Sequence, residues 1–232
     1  MIHFVPDLIV EVTEACNRSC SGCYAANTVT GKSPLQLLEE RPDLFLSVKK
    51  FSDFIESWPY GILSTVALRG GEPSLHPELT LLISEAIKIS KKVFIETHGR
   101  WLLEKNRADY SNLIAAVQKI PVTVKVSYDS MHGLKFDELL SIASFLSSIK
   151  VDYAVAITEK TQEEYEITRR TIKFVPDSKI IFQPKASSVD QLIRPVFGIL
   201  NTEAILVSGL NSRFDGNSIG VDPDFSLFEV AQ

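Results

Sequence analysis

The sequence predicts an α/β protein whose parallel strands form a sheet covered by helices. Short apolar runs alternate with stretches of ten to fifteen residues of helical periodicity, giving six strand-then-helix units. At 232 residues, 45% hydrophobic and 23% charged, the chain is ample for one sizeable core and short for two, so a single domain is expected. Periodicity alone leaves two arrangements open, a doubly wound sheet and a sheet curled toward a barrel.

The first strand is Leu8 to Val12, an apolar run with one charge. Asp43 to Trp58 carries a broad helical stripe of Leu44, Leu46, Val48, Phe51, Phe54, Ile55 and Trp58, closed by Pro59. Strands at Leu63 to Leu68 and Val93 to Thr97 then alternate with helices at Pro77 to Ser90 and Ala108 to Ile120. Strands at Val122 to Tyr128, Val151 to Thr158 and Lys179 to Gln183 follow, separated by helices at Phe136 to Ile149 and Gln162 to Phe174. Past Ala186 the pattern loosens into a short helical stretch, an apolar run from Ala204 to Val207, and a segment from Gly209 to Pro223 rich in Gly, Asn, Ser and Asp. The expected division is a core over residues 1–186 and an extension, residues 187–232, packing on it.

The strand at Val122 alternates polar and apolar residues. Thr123, Lys125 and Ser127 share one face, and Val122, Val124 and Val126 the other. The helix-covered face must be apolar, so Lys125 points inward, where an ammonium needs an anionic partner such as a carboxylate of a cofactor or substrate.

A net charge of −5 and a pI near 5.5 argue against a large nonspecific nucleic-acid surface. Met1 to Pro6 lacks the basic start and apolar core of a signal peptide, and no run reaches the roughly 18 apolar residues of a membrane span, which predicts a cytoplasmic location and no membrane partner.

All three cysteines, Cys16, Cys20 and Cys23, fall within eight residues among Asn, Arg, Ser and Gly. Thiols on such a loop can face one object, a soft metal or an iron–sulfur cluster. Three protein ligands leave a fourth position open. Zinc is an alternative, although the early candidate for a fourth ligand is His3, thirteen residues upstream, and no His lies within fifty residues after Cys23. A disulfide with one free thiol is another, disfavoured in a reducing compartment.

The spacing Cys16-x3-Cys20-x2-Cys23, followed by Tyr24, resembles the cluster loop of the radical S-adenosylmethionine (AdoMet) enzymes. That resemblance implies a 4Fe-4S cluster whose fourth iron binds the amino and carboxylate groups of AdoMet, with Tyr24 near the cofactor. It also implies a partial, TIM-like (β/α)6 barrel with its chemistry at the C-terminal strand ends. Arg69-Gly70-Gly71-Glu72-Pro73 resembles the family's Gly-Gly-Glu-Pro segment, which holds the methionine amino group of AdoMet. Two glycines let a ligand approach the backbone and leave its amides and carbonyls free, and Glu72 offers a carboxylate to an ammonium. Arg69 beside them is a substrate candidate, whereas His76, ahead of Pro77, reads as a helix-start residue.

Thr97-His98-Gly99 resembles the family's Thr-Asn-Gly, with His in place of Asn. Thr97 is then a cofactor contact, and His98 either a proton donor or a turn residue. Ser127 and Asp129 resemble the family's Ser-x-Asp, whose residues meet the ribose and methionine parts of AdoMet, and Thr158 is a further contact of that kind. Gln183 and Lys185 stand where the family passes from cofactor to substrate site. The resemblance covers Leu8 to Lys185, and no cysteine follows Cys23, so one cluster is expected.

The function implied is reductive cleavage of AdoMet to a 5′-deoxyadenosyl radical that abstracts hydrogen from a small molecule or peptide. The enzyme would be oxygen-sensitive and take electrons from a donor such as flavodoxin or ferredoxin. An activating enzyme for a glycyl-radical protein is the alternative within this chemistry. A noncatalytic iron–sulfur or zinc protein is the alternative outside it.

Overall fold

The structure, a computed structural model, describes residues 2–3, 7–20, 23, 27–58, 61–159, 162–184, 204–208, 218–221 and 227–228. In chain order the elements begin with β1 (Ile2–His3), β2 (Leu8–Thr13), β3 (Ala15–Cys16), β4 (Asn27–Thr28), α1 (Pro34–Glu40) and α2 (Val48–Glu56). The middle comprises β5 (Val66–Gly70), α3 (Leu79–Ile89), β6 (Val93–Thr97), α4 (Ser111–Val117), β7 (Val122–Ser127) and α5 (Phe136–Ser148). The rest is β8 (Asp152–Glu159), α6 (Gln162–Thr171), β9 (Ile180–Pro184), β10 (Ala204–Ser208), β11 (Ser218–Val221) and β12 (Leu227–Phe228). β2, β5, β6, β7, β8 and β9 are the six expected strands, displaced by three residues at most at either end.

Two compact units make up the chain. The first contains Pro6–Glu96 and Thr202–Gln232. Its strands lie in the order β6, β5, β2, β10, β11, all parallel, with β12 antiparallel to β11. β2 is buried along its whole length, as befits a parallel strand covered on both faces. Asp7 sets its start: one carboxylate oxygen accepts from the Ser64 and Thr65 amides at 2.7 and 2.9 Å. Above the sheet, α2 buries Phe51, Phe54 and Ile55, and α3 buries Leu79, Leu82, Ile83, Ala86 and Ile89 at helical spacing. Leu82 is fully enclosed, so truncation to Ala would cost about 2–5 kcal/mol.

The helix expected from Asp43 to Trp58 is broken. A 3-10 turn at Pro42–Leu44 is followed by an extended Phe45, and α2 starts only at Val48, after an extended Ser47. The reason lies in β2. The Leu44 carbonyl accepts from the Glu14 amide at 3.0 Å and the Thr13 hydroxyl at 2.8 Å, and the Leu46 N–H donates to the Val12 carbonyl at 2.9 Å. These bonds satisfy the end of β2 and compete with the helix. α1, which the apolar pattern does not predict, has its own start signal: Ser33 and Gln36 form a reciprocal capping box ahead of Pro34.

The second unit contains Met1–Val5 and Thr97–Asn201, with strands in the order β7, β8, β9, β1, all parallel. α5 buries Leu139, Ile142, Ala143 and Leu146. Within each unit, parallel pairing gathers the C-terminal strand ends along one edge of that unit's strands: Thr13 and Gly70 in the first unit, and Ser127, Glu159 and Pro184 in the second.

Candidate functional site

In the first unit, β2 leads straight into the cysteines. Thr13 is the pivot, because its hydroxyl donates to the Leu44 carbonyl and accepts from the Ala15 amide at 3.0 Å. The chain then enters β3, which pairs Cys16 with Thr28 of β4, and the Val29 N–H donates to the Cys16 carbonyl at 2.7 Å. Cys20 and Cys23 are tied by a bond from the Cys23 amide to the Cys20 carbonyl at 3.2 Å. None of the three cysteines is in a disulfide; Cys16 is buried and the others are half-buried.

Burial pushes the Cys16 thiol up to about 12, against a backbone hydrogen bond involving Arg18. The charges of Glu72, Cys23 and Cys20 push it the same way. Ionised sulfurs here therefore call for positive charge among them. Among the described residues no three His, Cys, Asp or Glu side chains already converge as a ligand set. The donor chemistry, three cysteines on one short segment and none of them in a disulfide, nevertheless fits a soft metal or an iron–sulfur cluster.

Gly70 and Gly71 pack against that same segment. A Cβ on Gly70, whose φ is +149°, would lie 2.1 Å from the Thr13 carbonyl oxygen, and one on Gly71 would lie 2.3 Å from that of Ala15. The Gly71 N–H donates to the Thr13 carbonyl at 2.6 Å, and the Glu72 N–H to the Ala15 carbonyl at 2.8 Å. The sequence pattern assigns these glycines to the approach of a ligand and leaves their amides free. In the structure, the chain's own backbone makes the close approach, and the Gly71 and Glu72 amides are engaged by it.

Glu72 is wholly buried, and its Oε1 accepts from the Ser74 amide at 3.1 Å, capping a 3-10 turn at Pro73–Leu75. Gly70 and Gly71 remain half-buried at the rim of this turn. Arg69 sits opposite Glu11 in register, its guanidinium 3.6 Å from the Glu11 carboxylate, and both side chains are largely buried. Sequence reasoning gives Glu11 no role, although a lone charge in an apolar strand is its signal.

His76 has a structural task. Its Nδ1 accepts from the Glu78 amide at 3.1 Å, so the proton is on Nε2, which donates to the Leu46 carbonyl at 2.9 Å. Burial lowers its pKa to about 4, opposed by the bond to Leu46.

In the second unit, Thr97 is buried, and its hydroxyl oxygen accepts from the Gly99 amide at 2.9 Å and the Trp101 indole at 3.0 Å. His98 is buried too, with Nδ1 accepting from the Arg100 amide at 3.1 Å. That is the bond an Asn side chain makes in an Asx-turn. Gly99 has φ +75°, and a Cβ there would lie 2.9 Å from Val126 and 3.3 Å from Ile142.

This contact places Val126 on the face covered by α5, so Lys125, 3% exposed, lies on the opposite face of β7. Lys125 already interacts within the protein, so an external carboxylate would be an added partner. Ser127 is half-buried at the strand end, and Thr158 is half-buried on β8. The Asp129 carboxylate faces His132, a residue that sequence reasoning passes over, at 2.7 Å. Gln183 lies on β9, paired with Thr158. Tyr24 and Lys185 lie outside the described residues.

No family model matches the chain, and no curated protein matches it. Among solved structures, it is similar to a histidine-tagged anSMEcpe with bound AdoMet, with a TM-score of 0.51 and 15% identity over 77% of this chain and 50% of that one. It is similar also to native anSMEcpe with bound AdoMet and Cp18Cys peptide, with a TM-score of 0.50 and 15% identity over 77% of this chain and 49% of that one. The chain has their fold. The partial (β/α)6 barrel expected above is thus the architecture, and the doubly wound alternative falls away. A third match, SuiB of Streptococcus suis bound to the precursor peptide SuiA, has a TM-score of 0.46 and 13% identity over 88% of this chain and 39% of that one. The chain spans about half the length of the anSMEcpe structures.

Proposed function

We propose that the chain is a radical AdoMet enzyme in which Cys16, Cys20 and Cys23 hold one 4Fe-4S cluster. The observation that carries this reading is the lacing of Gly71 and Glu72 onto Thr13 and Ala15, which sets the glycine turn against the entry to Cys16. Two motifs some fifty residues apart in sequence thereby become one construction. With the cluster and AdoMet bound, the site would supply one-electron cleavage of a carbon–sulfur bond and a radical able to take hydrogen from a substrate.

The protein's own share is to hold and orient. The Gly70–Gly71 rim takes the methionine ammonium, with the buried Glu72 charge behind it, fixed by the Ser74 amide. This refines the role expected for the Glu72 carboxylate, which is too enclosed to be the first contact. Tyr24, Pro73, Thr97, Ser127, Asp129 and Thr158 are the further AdoMet contacts that the sequence resemblance implies, Arg69, Gln183 and Lys185 are substrate candidates, and Lys125 is set to meet a carboxylate of the cofactor or the substrate. A peptide is the favoured substrate class, since one solved structure of this fold holds a peptide beside AdoMet.

The proposal includes an electron donor such as flavodoxin or ferredoxin, sensitivity to oxygen and a cytoplasmic setting. Among the described residues no helix is long and apolar enough to cross a membrane. The test is anaerobic incubation of the reconstituted, dithionite-reduced chain with AdoMet. Release of 5′-deoxyadenosine and methionine is expected. A chain that carries its cluster yet leaves AdoMet intact is instead a noncatalytic iron–sulfur protein.

A further inference from the structure

The loop that follows β7 carries an acid–base pair, Asp129 and His132, and the sequence reading gives His132 no role. The Asp129 side chain is 0% exposed, and His132 retains 19%. The Asp129 Oδ1 accepts from the His132 main-chain N–H at 2.8 Å, and the ring Nδ1 lies 2.8 Å from Oδ1 and 2.7 Å from Oδ2. The main-chain bond alone would close the turn. The added contact to the ring sets its orientation and its tautomer.

An ionised carboxylate only accepts, so Nδ1 carries the proton. In the neutral ring Nε2 then presents a lone pair, and it has no hydrogen-bond partner among the described residues. Arg100 holds the loop from the side. Its guanidinium donates to the Gly133 carbonyl at 2.8 Å and to the Glu138 carboxylate at 3.1 Å. The Arg100 and Glu138 charges compensate each other, which leaves the Asp129 carboxylate as the charge in contact with the His132 ring.

From this arrangement we infer that His132 is a proton-transfer group at the C-terminal end of β7, with Asp129 as its positioning residue. In the step, the Nε2 lone pair takes the proton of a substrate O–H, N–H or S–H group. A new N–H bond forms, the X–H bond breaks with its electron pair left on X, and the imidazolium charge faces the Asp129 carboxylate. The reverse step delivers a proton. Asp129, an AdoMet contact by the sequence resemblance, holds the ring with its carboxylate. The presence of substrate at this strand end rests on the function proposed above, whereas the tautomer and the reactivity of His132 do not.

The experiment uses the full chain with 15N-labelled imidazoles, His132→Gln serving to assign the signal. His132 is expected as the Nδ1–H tautomer, opposite to the Nε2–H form of His76 and His98. With diethylpyrocarbonate as probe, mass spectrometry should find His132 modified at least tenfold faster than His76 or His98, and several-fold more slowly in Asp129→Asn. An Nε2–H tautomer at His132, or a reaction no faster than that of His76, would overturn the inference. If Asp129→Asn does not fold, the tautomer in the unaltered chain decides. A chain that cleaves AdoMet but shows the Nε2–H tautomer defeats this inference alone, and one with the Nδ1–H tautomer that leaves AdoMet intact defeats the proposed function alone.

Discussion

The Glu72 N–H donates to the Ala15 carbonyl at 2.8 Å, one residue before Cys16. With the Gly71 bond to Thr13 beside it, the glycine turn and the cysteine loop share a backbone ladder, so a disturbance of one reaches the other.

The first prediction follows from that ladder. Gly71→Ala would set a Cβ 2.3 Å from the Ala15 carbonyl oxygen, and Gly70→Ala would set one 2.1 Å from that of Thr13. Backbone at the end of a buried strand yields little, so each variant should lose about 1–3 kcal/mol in urea unfolding. Each should also take up less iron than the parent chain, although every cysteine is intact. Full stability with unchanged iron uptake would show the two segments to be independent.

Glu72 separates charge from capping. Glu72→Gln keeps an acceptor for the Ser74 amide and removes the negative charge, so the fold should persist while AdoMet affinity falls about tenfold, or ~1.4 kcal/mol. Glu72→Ala should in addition lose about 1–3 kcal/mol of stability, because the Ser74 amide is left unsatisfied. Isothermal titration and urea melts read the two effects. Equal AdoMet affinity in Glu72→Gln and the parent would remove Glu72 from the site.

His76 makes stability depend on pH. Its pKa falls from 6.5 to about 4 on folding, so below 6.5 the unfolded chain takes up a proton that the native chain refuses. The stabilisation is complete above about 6.5 and is lost as pH drops toward 4, on the order of 3 kcal/mol from a shift of about 2.5 units. His76→Gln should have a lower urea midpoint at pH 7.5 and a shallower decline between pH 7 and 4. Parallel declines in the two proteins would contradict the assignment of this slope to His76.

At position 98 the structure favours substitution by Asn. His98→Asn can still accept from the Arg100 amide and should stay within about 0.5 kcal/mol of the parent, whereas His98→Ala should lose about 1 kcal/mol. Thermal unfolding of the pair checks this, and equal losses would rule out the turn-capping role.

Much of the fold was legible because burial imposes period. β2, β5, β6, β7, β8 and β9 each show in the sequence as apolar or alternating runs, and α3 and α5 as stripes. The break at Phe45–Leu46 was not, because the partner that pulls this segment out of the helix is Val12, more than thirty residues away. The inward side of Lys125 could be read from the alternation of β7, since a side chain's face is a local property. Its partner, like that of Asp129, depends on folding. His132 escaped notice because it lies beyond the strand, where no periodicity marks it, although its spacing of three from Asp129 was visible. The glycines of the turn were found for a reason the structure revises, because a sequence cannot tell whether a ligand or the chain's own backbone makes the close approach.

The central claim, a cluster on Cys16, Cys20 and Cys23, is tested most directly by iron and sulfide analysis of anaerobically reconstituted protein beside the three Cys→Ala variants. About four irons and four sulfides per chain are expected, as a single 4Fe-4S cluster requires, with loss of both in each variant. Stoichiometric zinc in protein purified without oxygen, with no iron or sulfide taken up on reconstitution, would contradict it.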